Sequence, residues 1–225
     1  MFSLRVTQRS KTWEMLKERG VGYISSTELA AVFHASAYGS RRKLTMQKTS
    51  GKRKKFSNPA QEHGTRWEPV AVRAACKFLD ETLGKSHDWM QPGIIRDPWS
   101  VVTCSPDQIC SDFGLEVKCP WKRKLPETRE EIINDNLLQC FACIHVTKLP
   151  HWYLFYYNAY TGASVAYRVQ ANRQLWEEHV APAVARYLES VEVGDPESLR
   201  VKHKSDGVEW EGIRARILEG VDRVL

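Results

Sequence analysis

The segment FGLEVKC at 113–119 narrows the fold of this chain more than any other. In an extended strand successive side chains point to opposite faces. Leu115, Val117 and Cys119 therefore share one face, and Glu116 and Lys118 share the other. One face is apolar and needs a core, while the other lifts an acid and a lysine side by side. GIIR at 93–96 and WSVVTC at 99–104 are further short β runs, punctuated by Asp-Pro, Ser-Pro and Cys-Pro. HWYLFYY at 151–157 and ASVAYRV at 163–169 predict a hairpin about the turn at 158–162. The aromatic run in HWYLFYY is read as a strand buried on both faces, in preference to a base-stacking surface.

Helical signals surround these strands. Trp13 and Leu16 with Gly20 as a stop predict a short helix over 11–20. Ser25 with Glu28 three residues on is a capping box, so a helix is expected through LAAVF, with an anion site at the amides and hydroxyls of Ser26 and Thr27. Residues 60–83 predict a helix interrupted at Gly64–Pro69, with Val70, Ala74, Ala75 and Phe78 as its apolar stripe. Residues 126–147 predict another, opened by a capping box of Thr128 and Glu131, and 171–193 a long one. A polar linker is expected over 194–205 and a last helix over 208–225.

With 225 residues the chain suits one sizeable domain. The expected division is a main domain over 1–193 and a polar linker with a C-terminal helix over 194–225. No apolar run is long enough to cross a bilayer, and MFSLRVTQRSKTW lacks the apolar stretch of a secretory signal, so an intracellular protein is expected. Six cysteines then read as reduced thiols. Cys140 and Cys143 form a CxxC near His145, but a structural zinc wants a second ligand pair that is not evident.

The net charge is +6 and the pI about 9.0, a balance that favours polyanionic partners. The excess is concentrated at 38–58, where Arg41, Arg42, Lys52, Arg53, Lys54 and Lys55 belong to a run without any acid. That stretch is expected to be a basic loop, solvated when free and able to contact DNA backbone.

Against this basic background the acids near the middle carry chemistry. Asp107 sits beside a proline before the strand that bears Glu116 and Lys118. A hairpin between them would bring two carboxylates together, which raises their pKa values unless a divalent cation relieves the repulsion. Mg²⁺ takes few carboxylates, keeps several waters and is completed by substrate phosphate. A neighbouring lysine can orient water or stabilise charge on phosphorus oxygens. Spacing alone leaves an ordinary surface ion pair between Glu116 and Lys118 equally open.

Asp107 followed by Glu116-Val117-Lys118 resembles the D…(D/E)xK signature of PD-(D/E)xK nucleases. TCSPDQICSDFGLEVKCP is similar to the central motif of the lambda-exonuclease and YqaJ-type viral recombinase family. WEMLKERGVGYISSTEL, HGTRWEPVA and NDNLLQCFACIHVTKLPHWYLFYY resemble further blocks of that family, in order, across residues 10–170. The resemblance implies an α/β fold with a central mixed sheet flanked by helices, the restriction-endonuclease-like core. It implies two Mg²⁺ or Mn²⁺ ions held by Asp107, Glu116, the Val117 carbonyl and Glu68, with Lys118 orienting water and Gln139 assisting. Where the family has Gln-x-Gln, this chain reads Gln139-Cys140-Phe141. Asp97 matches a further acidic position. A 5′-phosphate pocket is implied at Arg19, Thr27 and Ser105, with Ser26 adjacent and Thr27 in place of the family's serine. The implied activity is 5′→3′ degradation of one strand of linear double-stranded DNA, leaving a 3′ single strand for recombination. The resemblance also implies a homotrimeric ring, although some relatives act as monomers, and a single-strand annealing protein as a common companion. Two other readings compete: an endonuclease of the same fold, which needs no phosphate pocket, and a non-catalytic DNA-binding module using the basic run.

Overall fold

In a computed structural model, residues 2–4, 10, 22–50, 58–96, 100–122, 124–194 and 204–224 are described. The expected helix over 11–20 lies outside them, as do Arg19, Lys52, Arg53, Lys54, Lys55 and Asp97. The architecture is the mixed α/β class expected, with its strands divided between two mixed sheets.

The first sheet has the order β1 (Phe2–Leu4), β3 (Ile94–Arg96), β4 (Val102–Cys104), β2 (Ile24–Ser25). Strand β2 runs parallel to β4, with Ser25 opposite Thr103. The second sheet has the order β5 (Gln108–Ile109), β6 (Gly114–Lys118), β7 (His151–Tyr157), β8 (Ser164–Gln170), β9 (Val221–Val224). Strand β6 lies parallel to β7, an arrangement that requires a crossover. The crossover is helical: a 3₁₀ turn Arg129–Glu131 and then α4 (Asn134–Thr147). The predicted hairpin is present as β7 and β8, with Tyr157 opposite Ser164.

Two helices cover the second sheet. On one face α3 (Pro59–Leu83) packs Ala71, Ala75 and Leu79 against Leu115, Val117, Tyr153 and Phe155. On the other, α4 joins Leu154, Tyr156 and Tyr167 in the larger core. The alternating residues of HWYLFYY thus fill both cores, as a strand buried on both faces should. Gly114 is required by this packing: a Cβ there would lie 2.2 Å from the ring of the fully buried Trp152.

Several elements differ from the sequence expectation. Part of the basic stretch is a helix, α2 (Arg41–Ser50), because Leu44, Thr45 and Lys48 form a buried stripe at helical spacing. The capping box at Ser25 and Glu28 opens only a 3₁₀ turn, Ser26–Glu28, and a single helical turn, α1 (Leu29–Val32). Helix α3 runs without a break through Pro69. The ring removes one hydrogen bond, to the carbonyl of the exposed Thr65, while buried contacts on the next turns hold the helix. Helix α4 starts at Asn134, eight residues after the expected start, because Ile132 and Ile133 are extended. The stretch 173–192 is α5 (Arg173–Leu175), a π turn Trp176–Val180 and α6 (Ala181–Glu192). Pro182 has no N–H to continue the α ladder, and Ala181 donates five residues back to Trp176. The chain's last helix is α7 (Lys204–Leu218), and it gives way to β9, which pairs with β8. No helix among the described residues is long and apolar enough to cross a membrane.

Candidate active site

Strand β4 delivers the chain through Ser105 and Pro106 to Asp107, immediately before β5. The antiparallel register places Gln108 opposite Leu115 and Ile109 opposite Gly114. Continued by two residues, it sets Pro106 against Val117. There the proline ring has no N–H to offer the Val117 carbonyl, and the Val117 N–H is taken instead by the Asp107 carboxylate. Asp107 Oδ2 accepts that hydrogen bond at 2.7 Å. One residue's N–H and C=O point to the same strand edge, so the Val117 carbonyl projects toward the side occupied by Asp107.

Glu116 and Lys118 rise from the other face of β6, under α4. Lys118 Nζ donates to Glu116 Oε1 at 2.6 Å and to Gln139 Oε1 at 2.9 Å. Gln139 belongs to a polar stripe on the inner side of α4: Asn136, Gln139, Cys140 and Cys143 recur at helical spacing and are all buried. Asn136 donates to the Tyr156 hydroxyl at 2.9 Å, and Tyr156 is the register partner of Lys118. This Asn136–Tyr156 support escaped sequence reasoning. Its signal was the position of Asn136 three residues before Gln139.

The cluster is buried and unbalanced in charge. Asp107 is 7% exposed and Glu116 4%. Burial pushes the Asp107 carboxyl well above the usual range, and the neighbouring Glu116 carboxylate adds to it. Lys118 and the Val117 amide pull it back, against a further push from Glu68. For Lys118 burial favours the neutral amine, but Glu116 and Asp107 outweigh it and hold the ammonium above its ordinary range. Glu116 Oε2 is buried without a hydrogen-bond partner.

These groups fit a divalent cation. Two buried carboxylates face one lysine, one carboxylate oxygen is orphaned, and the Val117 carbonyl lies on the same edge. Among the described residues no group of three or more His, Cys, Asp or Glu is already arranged around one point. Mg²⁺ takes few carboxylates and is completed by waters and substrate phosphate. Glu68, on α3, approaches from the opposite side of the sheet and is felt electrostatically by both Asp107 and Cys119.

The parallel β2–β4 pair, with Ser25 opposite Thr103, sets the turn that carries Ser26 and Thr27 at the end of β4, the strand that Ser105 follows, with Ser26 2% exposed. Ser105 Oγ donates to the Gly93 carbonyl at 2.9 Å, and Thr27 Oγ1 shares a 2.8 Å hydrogen bond with Ser25 Oγ. The Glu28 carboxylate accepts from the Ser25 amide at 3.0 Å and pairs with Lys48 at 2.9 Å. The turn is thus already capped by an acid, and a single helical turn has almost no macrodipole, so the hydroxyls remain the reason to place an anion there. Arg41 is held over the Tyr187 ring at 5.0 Å, anchoring α2 to α6, whereas Arg42 is exposed. Lys48, within the run read as solvated, has a buried side chain. Cys140 and Cys143 are completely buried in α4.

The family model of the YqaJ-like viral recombinase domain matches residues 12–150. The chain belongs to that family. Its fold is that of an alkaline exonuclease, LHK-Exo from Laribacter hongkongensis, with a TM-score of 0.62 and 19% identity over 82% of this chain and 94% of that one. The same enzyme in complex with dAMP matches with a TM-score of 0.62 and 22% identity, over 80% and 93%. A phage-related exonuclease from Haemophilus somnus 129PT matches with a TM-score of 0.54 and 10% identity, over 76% and 96%. No curated protein matches the chain by sequence.

Proposed function

We propose that this chain is a metal-dependent deoxyribonuclease that degrades one strand of linear double-stranded DNA from its 5′ end, leaving a 3′ single strand for recombination. The observation that carries this reading is the cluster at β6: Lys118 donates to the buried Glu116 and Gln139 at 2.6 and 2.9 Å, and the buried Asp107 is held beside them by the Val117 amide at 2.7 Å. Family membership and the exonuclease fold support it.

Asp107, Glu116 and the Val117 carbonyl would hold Mg²⁺ or Mn²⁺, with Glu68 contributing to a second ion. Bound there, such ions supply Lewis-acid activation of the phosphodiester and relief of charge on the leaving oxygen. Lys118 is kept charged by the acids beside it, and Gln139 fixes its ammonium in position. That ammonium orients the attacking water and neutralises charge that builds on the phosphorus oxygens. Asp107 is itself fixed by the Val117 amide, so the first carboxylate and the strand carbonyl are positioned by one hydrogen bond.

The hydroxyls of Ser26, Thr27 and Ser105, with Arg19, would receive the 5′ phosphate of the strand being cut. Arg42 and the basic run Lys52, Arg53, Lys54 and Lys55 would contact DNA backbone. A ring of three copies around DNA and a single-strand annealing partner complete the reading, with sedimentation the test of the first.

Incubation with Mg²⁺ and linear duplex DNA bearing a 5′ phosphate or a 5′ hydroxyl tests the function, with a closed circle as control. Loss of linear DNA from its 5′ ends, faster with the phosphate and sparing the circle, is expected. Nicking of the circle would assign the same site to an endonuclease, and no cleavage with any divalent ion would leave only DNA binding.

A further inference from the structure

We infer that Tyr160, backed by His63 and flanked by Trp67, forms a stacking platform for an unpaired nucleobase of the DNA strand beside the acid cluster. This inference rests on the nuclease reading above.

The turn between β7 and β8 is fixed by its own hydrogen bonds. Asn158 Oδ1 accepts from the amides of Tyr160 and Thr161 at 2.9 and 3.1 Å, and Gly162 N donates to the Asn158 carbonyl at 2.8 Å. That fixed turn holds Tyr160 68% exposed. Its ring stacks on His63 of α3, with centroids 5.4 Å apart and planes at 22°. One face of the tyrosine is therefore covered and the other is open to solvent. Beneath it His63 is 9% exposed, and its Nε2 is buried without a hydrogen-bond partner. Trp67 lies one helical turn further, 6.4 Å from His63, and the Arg66 guanidinium sits 5.9 Å from the Trp67 ring centre.

The position ties this patch to the site. Trp67 is the neighbour of Glu68, whose charge reaches Asp107 and Cys119. The turn follows directly on β7, whose Tyr156 is the register neighbour of Lys118 on β6. Aromatic faces interleaved with a cation suit single-stranded nucleic acid, because every base has a π face and the backbone is anionic. Bases inside an intact duplex are already stacked, so the occupant is an unpaired one, next to the strand being cut.

The test uses the full chain in Mg²⁺, with anisotropy of a fluorescein-labelled phosphorothioate oligothymidylate, and an abasic oligomer of equal length as control. Tyr160→Ala should weaken oligothymidylate binding by roughly five- to a hundredfold, and Tyr160→Phe should restore it. The abasic oligomer should bind wild type and Tyr160→Ala alike, and the KM for duplex ends should rise in Tyr160→Ala. Equal binding of oligothymidylate by wild type and Tyr160→Ala overturns the platform, as does a loss in Tyr160→Phe as large as in Tyr160→Ala. Cleavage by the wild type reports separately on the nuclease reading. A wild type that cuts DNA while Tyr160→Ala binds normally removes the platform alone, and one that neither cuts nor binds removes both.

Discussion

Asp107 and Glu116 are two acids that the fold places where neither is comfortable. Both are buried, the Glu116 carboxylate raises the cost of charge on Asp107, and Lys118 satisfies only one oxygen of Glu116. Removing one charge should therefore stabilise the metal-free protein while destroying its chemistry. Asp107→Asn keeps an oxygen that can accept from the Val117 amide, so the strand edge survives. We expect its melting temperature in EDTA to rise by about 2–6 °C, and cleavage to fall by about a thousandfold or more. Mg²⁺ should raise the melting temperature of the wild type, by mass action on the folded state, and leave that of Asp107→Asn unmoved. Melting curves with and without Mg²⁺ check the stability changes and a cleavage assay the activity, and a destabilised Asp107→Asn in EDTA would contradict the account. Lys118→Ala has the opposite sign in stability. It strands a buried carboxylate and should cost about 3 kcal/mol, read as a lowered urea midpoint, alongside loss of cleavage.

At the scale of elements, Gly114 and α4 carry the clearest consequences. Gly114→Ala drives a methyl into the Trp152 ring, which is fully buried between β6 and the helices. Overpacking of this kind should cost about 1–3 kcal/mol, measurable by urea denaturation. On α4, His145 stacks on Trp176 at 4.7 Å and meets Phe141 edge-on, and its Nε2 is buried without a partner. Burial lowers its pKa from 6.5 to about 4, with Glu177 and Arg173 acting in opposite senses. The unfolded chain therefore takes up the proton first. Stability is complete above pH 6.5 and is lost as pH falls toward 4, by up to about 3 kcal/mol. His145→Phe should flatten that part of the urea-midpoint profile, and an unchanged slope would mean another group titrates there.

The same scale shows what the sequence could and could not reveal. Strand β6 was legible because a period of two survives in Leu115, Glu116, Val117 and Lys118, and the β7–β8 hairpin because two apolar runs flank a short polar turn. The gathering of Asp107 with Glu116 and Lys118 was legible for the same reason. Helix α2 was not, because one of its three inward residues is Lys48, whose buried ammonium pairs with Glu28. A hydropathy pattern counts that lysine as outward. The buried stripe of α4 hides likewise, since Asn136 and Gln139 face inward to serve Tyr156 and Lys118. Strand β9 has only Val221 and Val224 as apolar residues and owes its existence to the open edge of β8.

At the scale of the molecule, the C-terminal segment is built into the same sheet as the acid cluster. Strand β9 pairs with β8, and Asp222 accepts from Arg168 at 2.9 Å. Helix α7 contributes Trp210, Ile213 and Ile217 to the larger core. Its Arg214 reaches the start of α4, donating to Asn134 Oδ1 at 2.9 Å and to the carbonyls of Glu130 and Ile132 at 2.7 and 3.3 Å. Those carbonyls precede a helix whose first turn leads to Asn136 and Gln139. The guanidinium therefore ties the last helix to the element that positions Lys118, with Asn134 and Gln139 about one and a half turns apart on α4. Two consequences follow physically. Unfolding in urea should be a single transition when followed by tryptophan emission and by far-ultraviolet dichroism, because Trp210 and the site share one core. Arg214→Ala should lower the midpoint by an amount equivalent to about 1–3 kcal/mol, since it removes charge-assisted bonds to partly buried acceptors. If α4 transmits the loss to Gln139, the same variant should also lower kcat on linear duplex DNA, and Arg214→Lys should recover stability only in part, because a single ammonium cannot span three acceptors. A variant that loses stability but keeps kcat would confine Arg214 to holding the C-terminal helix in place.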